Sequence, residues 1–134
     1  MDLFSAMDIS ASGLKAQRTR INVISSNIAN AQTTRTAEGG PYKRQDAVFE
    51  AQPFEEVLAG VAVSEVRTDQ SEGKRIFDPK HPDADANGMV SLPNVNLMEE
   101  MVNLIGATRG FEANTTAIKS QKDMAQNALN IGTK

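Results

Sequence analysis

The sequence predicts an α+β chain in which long N- and C-terminal helices pair as a coiled-coil-like element around a small β-rich insertion. Three observations carry this expectation. Met7, Leu14, Ile21 and Ile28 recur at strict sevens near the front, the spacing of a helix that packs along one stripe. Leu97, Leu104, Phe111, Ile118 and Ala125 repeat the pattern near the back. Between them the helical period vanishes, and glycine, proline and short β-favouring runs replace it. The expected organisation is therefore 1–34 for the front helix and its following turn, 35–93 for the insertion and 94–134 for the back helix.

In the front segment, Ser5 with Asp8 three residues on resembles a helix-start signal, and the apolar spacing continues to Ala31. The seam alternates fours and threes but is interrupted by Ser10 and Gln17, so as an isolated two-stranded coil it is weak. Offset by two from Leu14, about 200° around the helix, runs a second line of small residues that includes Ala16 and Ser26.

The back helix has the clearer start. Pro93 lies just upstream, Asn96 is placed as the N-cap, and Glu99 stands at the third following position. From there Leu97, Met101, Leu104, Phe111, Ile118 and Leu129 mark the seam, over roughly 50 Å of helix at about 1.5 Å per residue. Thr108, Thr115 and Lys122 dilute it. Gly106, Gly110, Ala113 and Ala117 form the small-residue line here. Interior glycines cost on the order of 1 kcal/mol relative to alanine, so Gly106 and Gly110 call for a compensating close contact. Two packing faces on each helix imply neighbours beyond the pair itself, and bulk at Gly110 is expected to part the helices that meet there.

The insertion reads as strands at Tyr42–Phe49, Val57–Thr68, Arg75–Phe77 and Met89–Ser91, with turns at Gly39-Gly40-Pro41 and Ser71-Glu72-Gly73 and a break at Gln52-Pro53. The alternation of Val57, Ala59, Val61 and Val63 is its best strand signal.

Composition bounds the function. The chain has 134 residues, with five Phe, one Tyr and no Trp, so aliphatic and small-residue contacts must dominate its packing. A net charge of -3 from interspersed acids and bases speaks against nucleic acid and anionic membrane as partners. No apolar run approaches the ~20 residues of a membrane span, and the front lacks the pattern of a cleaved secretory signal, which by itself points to the cytoplasm. The absence of cysteine excludes disulfides and thiolate chemistry.

Candidate chemical sites are few. Asp83, Asp85, Asn87 and Gly88 reproduce the opening of a calcium loop, but Asn94 stands where the bidentate glutamate belongs, and Pro79 and Pro82 exclude the entering helix. Asx turns closing a polar loop are the better reading. His81, between prolines and without a nucleophile turn, makes no catalytic set. No phosphate-binding glycine loop is present. No catalytic, cofactor-binding or metal-ligating residue is expected, and assembly remains, with a soluble coiled-coil adaptor as the alternative.

Ser26 to Asn30, reading SNIAN, followed by Thr33 and Thr34, resembles the N-terminal signature of the axial proteins of the bacterial flagellum. EMVNLIGATRGFEAN, from Glu100 to Asn114, resembles their C-terminal signature. Within that family, IFDPKHPDADANGMVSLPNVN from Ile76 to Asn96 and GGPYKRQDAVFEA are similar to the proximal rod proteins of the basal body, of the FlgC type. The resemblance implies a structural rod subunit, exported without a cleaved signal through the flagellar type III apparatus and assembled in the periplasm, which displaces the cytoplasmic expectation. It implies terminal helices side by side in a tube wall, an insertion forming a small outer domain, and torque transmission along the helices. The partners it implies are copies of the chain, other rod subunits, the rod–ring adaptor and the membrane-embedded ring. Asn27, Asn30 and Asn114 are the polar motif residues expected to bond across subunits or within their own helix.

Overall fold

The structure is a computed structural model that describes residues 3–55 and 58–132. Helix α1 spans Leu3–Ala29 and helix α2 spans Leu97–Gly132. Between them lie strands β1 (Gln45–Glu55), β2 (Leu58–Thr68), β3 (Arg75–Phe77) and β4 (Met89–Ser91).

The helix starts differ in what sets them. At α2, Asn96 caps as expected, its Oδ1 accepting from the Met98 N–H at 3.2 Å, and Glu99 and Glu100 place negative charge in the first turn, where the helix dipole favours it. At α1 the chain is already helical at Leu3, so the start expected at Ser5 is overturned. Ser5 sits inside the first turns and is buried, so its hydroxyl serves packing rather than a cap. The helix closes two residues earlier than Ala31. Asn30 donates from Nδ2 to the Ser26 carbonyl at 2.9 Å and accepts from the Thr33 hydroxyl at 3.1 Å, satisfying end groups that otherwise lack partners.

The two helices run antiparallel. Gln121 reaches the Ala6 carbonyl at 3.5 Å, the Asn114 amide lies over Gly13, the Gln17 side chain lies over Gly110, and Asn27 bonds Glu100. Each step forward along α1 is matched by an equal step back along α2, so the register is constant over this whole span.

β1 and β2 form an antiparallel hairpin whose register shifts between Val48 and Phe49 and again between Pro53 and Glu55. The break expected at Gln52-Pro53 does not occur, because a two-stranded sheet offers an unpaired edge on which proline's missing N–H costs nothing. β1 begins later than expected, at Gln45, and Val57 lies outside the described residues. The hairpin is laid along α1. Gln45 meets Asn27 near one end, the Arg20 guanidinium sits 5.7 Å from the Phe49 ring centre, and the Val61 N–H donates to the Ser12 hydroxyl at 3.0 Å. α1 therefore lies between α2 and the hairpin, and its Ala16, Val23 and Ile24 are core residues.

The β region between the helices consists of two two-stranded sheets. Among the described residues β3 and β4 pair only with each other. Their connecting loop closes through Asx turns, as its sequence predicts. Asp85 Oδ1 accepts from the N–H groups of Asn87 and Met89 at 2.8 and 2.9 Å, and Asp78 Oδ1 from that of Lys80 at 3.2 Å. Gly88 takes a φ of 74°, open to glycine at little cost.

Candidate functional site

The end of the helix pair nearest the insertion is closed by a buried polar joint. Asn27 and Glu100 are both 0% exposed. Asn27 Nδ2 donates to the Gln45 carbonyl at 2.7 Å and to Glu100 Oε2 at 3.0 Å. Its Oδ1 accepts from the Gln45 N–H and from the Tyr42 hydroxyl, each at 2.9 Å. Glu100 Oε1 accepts from Arg44 Nε at 2.6 Å, a charge-assisted bond between groups largely removed from water. One asparagine and one glutamate thus tie α1, the strand entering the hairpin and α2 into a single knot.

Burial acts to lower the pKa of the Arg44 guanidinium, but the hydrogen bond and charge of Glu100, with Asp46 and Glu99, outweigh it and hold the group above its ordinary value. An ion pair so placed costs desolvation, and its worth lies in fixing one arrangement more than in net stability. Removing one partner is another matter, since it strands a buried charge.

The rest of the α1–α2 contact is unexpectedly polar. The α2 residues turned toward α1 are Glu100, Leu104, Ala107, Phe111, Asn114, Ile118 and Gln121, all buried or half-buried. Leu104, Phe111, Ile118 and Ala125 of the anticipated seam lie on this line. Met101, Thr108, Thr115 and Lys122 are exposed, and their places are taken by Glu100, Ala107, Asn114 and Gln121. Leu97 and Leu129 are exposed too. On α1, Met7, Leu14, Ile21 and Ile28 are half-buried. The side-chain oxygens of Gln17 and Gln121 are buried without a hydrogen-bond partner.

The small-residue lines divide. Ala16 is buried and Ser26 half-buried, with the Ser26 hydroxyl 3.4 Å from that of Tyr42. The second face of α1 lies against the chain's own hairpin and the segment that enters it. Gly110 and Ala117 are half-buried, whereas Gly106 and Ala113 are exposed. A Cβ at Gly110 would meet the Gln17 side chain at 3.1 Å, but one at Gly106 would meet nothing within 4 Å. Bulk at Gly110 thus strikes α1 of the same molecule first. Asn27, Asn30 and Asn114 all make their contacts within the chain.

What remains open is the outer face of α2. Met98, Met101, Val102 and Ile105 are 70, 48, 66 and 55% exposed, and their spacing places them together on the side away from α1. No charged residue interrupts them. Singly exposed apolar residues are ordinary, whereas these four form one contiguous exposed apolar patch.

The carboxylates of the acidic loop are otherwise engaged. Asp83 accepts from the Thr34 hydroxyl at 2.8 Å and faces Arg35 at 3.6 Å, and Asp85 is held by its own turn. No group of three residues able to hold a metal ion occurs among the described residues, and no described helix is long and apolar enough to cross a membrane.

In sequence, Lys43-Arg44 reads only as an isolated basic pair on a solvated edge, and the pairing of Arg44 with Glu100 has no local signature. The available signal is that Glu100, Ala107, Asn114 and Gln121 also recur at sevens, a polar line beside the apolar one.

Comparison with known proteins places these features. Residues 7–35 match the family model described as flagella basal body rod protein, and residues 86–131 match that of the flagellar basal body rod FlgEFG protein C-terminal region. The first covers Asn27 and the second Glu100, so the joint is built where the two family segments meet. The chain is 46% identical to the flagellar basal-body rod protein FlgC of Borreliella burgdorferi, over 98% of both chains. It is 40% identical to that of Bacillus subtilis and 38% to that of Salmonella typhimurium, each over 98% of this chain and 99% of the relative. With two long terminal helices, a β region between them and this likeness along nearly its whole length, the chain belongs to the FlgC family of flagellar basal-body rod proteins and is a structural subunit of the rod.

Proposed function

We propose that this subunit assembles into the proximal rod through its paired terminal helices, contacting copies of itself and other rod subunits, and transmits torque along them as a load-bearing element rather than as a catalyst. The observation that carries the reading is the arrangement of α2: Glu100, Ala107, Asn114 and Gln121 share the line turned toward α1 with Leu104, Phe111 and Ile118, while Met98, Met101, Val102 and Ile105 face out. Apolar side chains in water cost about 25 cal/mol per Å² of surface left unburied, so this face is stabilised when a neighbour covers it. Leu97, Met101 and Leu129, exposed in the single chain, are assigned to contacts between subunits, and Leu104, Phe111 and Ile118 to the contact within it. Export through the type III apparatus, assembly in the periplasm and contact with the rod–ring adaptor and the membrane-embedded ring belong to the same reading.

The test is charge placed on the open face. A chain carrying Met101→Glu and Ile105→Glu should keep its helical circular dichroism, because both side chains are exposed, yet fail to support rod formation and swimming when it replaces the native subunit. Normal swimming with normal rods would show that this face meets water in the assembled rod and would sink the assignment.

A further inference from the structure

Of the chain's asparagines only Asn87 is followed by glycine, and its side chain stands exposed in the loop between β3 and β4. That dipeptide is chemically labile. The Gly88 nitrogen attacks Asn87 Cγ, the bond from Cγ to Nδ2 breaks, and the proton of the attacking nitrogen leaves with the amide group as ammonia. Water then opens the cyclic imide at one carbonyl to give aspartate, or at the other to give isoaspartate, whose backbone is longer. Glycine favours the closure because it has no Cβ beside the nucleophile and turns freely.

The loop ties down the backbone that this reaction must move. The Gly88 N–H, which carries the attacking nitrogen, donates to the Asp85 carbonyl at 2.9 Å, and the Gly88 carbonyl accepts from the Asp78 N–H at 2.9 Å. On either side, the N–H groups of Asn87 and Met89 donate to Asp85 Oδ1 at 2.8 and 2.9 Å. Those two donors, Met89 first, hold the Asp85 carboxyl below the usual carboxylate range, so it remains a charged acceptor, the stronger kind. Gly88 is itself buried, and a Cβ there would lie 3.0 Å from the Phe77 ring and 3.1 Å from Pro79. Swinging the Gly88 nitrogen onto the Asn87 side chain breaks this set of bonds.

We propose that Asn87–Gly88 is a guarded deamidation site, with Asp85 the positioning residue that keeps it closed, so that cyclisation proceeds only when the turn opens. Backbone groups on both sides of the reactive bond are held, three of them by Asp85 alone. Once the reaction has occurred, refolding does not undo it. The aspartate product sets a further charge beside Asp85, and the longer isoaspartate backbone puts Gly88 out of step with Asp78. The Asx-turned loop thus acquires a chemical role that is independent of the rod assignment.

Peptide mass spectrometry of the full chain, with aspartate and isoaspartate separated, reads conversion at Asn87 in neutral buffer and in urea. In urea Asn87 should convert before every other asparagine. In buffer its conversion should be at least about tenfold slower, because it waits on local opening. Asp85→Ala should speed conversion in buffer by about tenfold, through loss of bonds to a charged acceptor, with helical circular dichroism unchanged. Asp85→Asn keeps an acceptor oxygen and should restore most of the protection. Equal rates in buffer and urea, an Asp85→Ala chain that converts at the native rate, or Asp85→Asn as fast as Asp85→Ala would each overturn the proposal. If Asp85→Ala fails to fold, hydrogen exchange in the native chain decides: protected amides at Gly88 and Met89 uphold the guard, and exchange at the unfolded rate refutes it.

Discussion

Replacing Asn27 by alanine is the sharpest test of the joint. The variant strips four hydrogen bonds from a residue at 0% exposure. Gln45 loses partners for both its N–H and its carbonyl, the Tyr42 hydroxyl loses its acceptor, and Glu100 Oε2 is left in a closed site with no donor. Ordinary bonds are worth about 1 kcal/mol each, and groups stranded without water cost about 1–3 kcal/mol. Breaking one arm of a buried charged cluster typically costs about 3–5 kcal/mol. Because Gln45 lies at the mouth of the hairpin, where water reaches part of the vacated space, a loss of about 3–4 kcal/mol is expected, against a total of about 5–15 for a domain of this kind. Urea unfolding followed in parallel by helical circular dichroism and by tyrosine fluorescence reads it out. With one Tyr and no Trp, the fluorescence reports the joint alone. A midpoint shift worth less than about 1 kcal/mol, with unaltered Tyr42 emission, would refute the view that this knot holds the three segments together.

Gly106→Ala should stabilise the isolated chain by about 0.5–1 kcal/mol through helix propensity, since the new methyl meets nothing; at Gly110 the Gln17 side chain stands at 3.1 Å and the gain should vanish, as paired melting curves would show. Gln17→Met removes a buried carbonyl oxygen that has no partner while keeping a flexible chain of similar length, and should raise stability by about 1 kcal/mol; a lower melting temperature would mean the oxygen is satisfied by water. Acid should loosen the loops before the helices. Asp69 is held below the usual carboxylate range by the backbone and hydroxyl of Ser71, and Asp85 by the N–H groups of Met89 and then Asn87. A depressed carboxylate stabilises the fold above its unfolded value and loses that contribution as pH falls through the depressed one. The amide resonances of Ser71, Asn87 and Met89 should therefore move only well below the ordinary carboxylate titration; movement at the ordinary value would contradict these turns.

Much of the architecture is legible in the chain because its signals are local and periodic. The sevens give both helices, the alternation before Thr68 gives β2, and Asp-x-Asp-x-Asn-Gly gives the Asx-turned loop. What escapes is contact between distant segments. The sevens at Leu104, Phe111 and Ile118 identify one half of the inner line but not its companion, because the apolar candidate at Met101 is a better seam residue in isolation than Glu100. The Arg44 guanidinium, brought over by the entering strand, and the Asn27 amide from α1 together make a buried glutamate tolerable there. The intrachain contact of the second face of α1 escapes for a related reason. Small residues such as Ser12 and Ala16 admit any close neighbour, and periodicity along one helix does not distinguish another helix from a hairpin folded back within the same chain.

The inversion of α2 bears most directly on function. A helix meant only to pair with α1 would turn Met98, Met101, Val102 and Ile105 inward and place Asn114 and Gln121 in water. Here Met98, Met101, Val102 and Ile105 face out, and Asn114 and Gln121 join Leu104, Phe111 and Ile118 on the inner line. Inside, the antiparallel pair gains register from Asn27–Glu100, from Asn114 over Gly13 and from Gln17 over Gly110, at the cost of two buried oxygens without partners. Polar seams of this kind specify one alignment while contributing little stability. Outside, the apolar residues contribute nothing to the single chain and a great deal to any surface laid against them. On the proposed reading, a subunit so divided holds its own helices in one register and leaves Met98, Met101, Val102 and Ile105 for the contact that the charged variants at Met101 and Ile105 are designed to break.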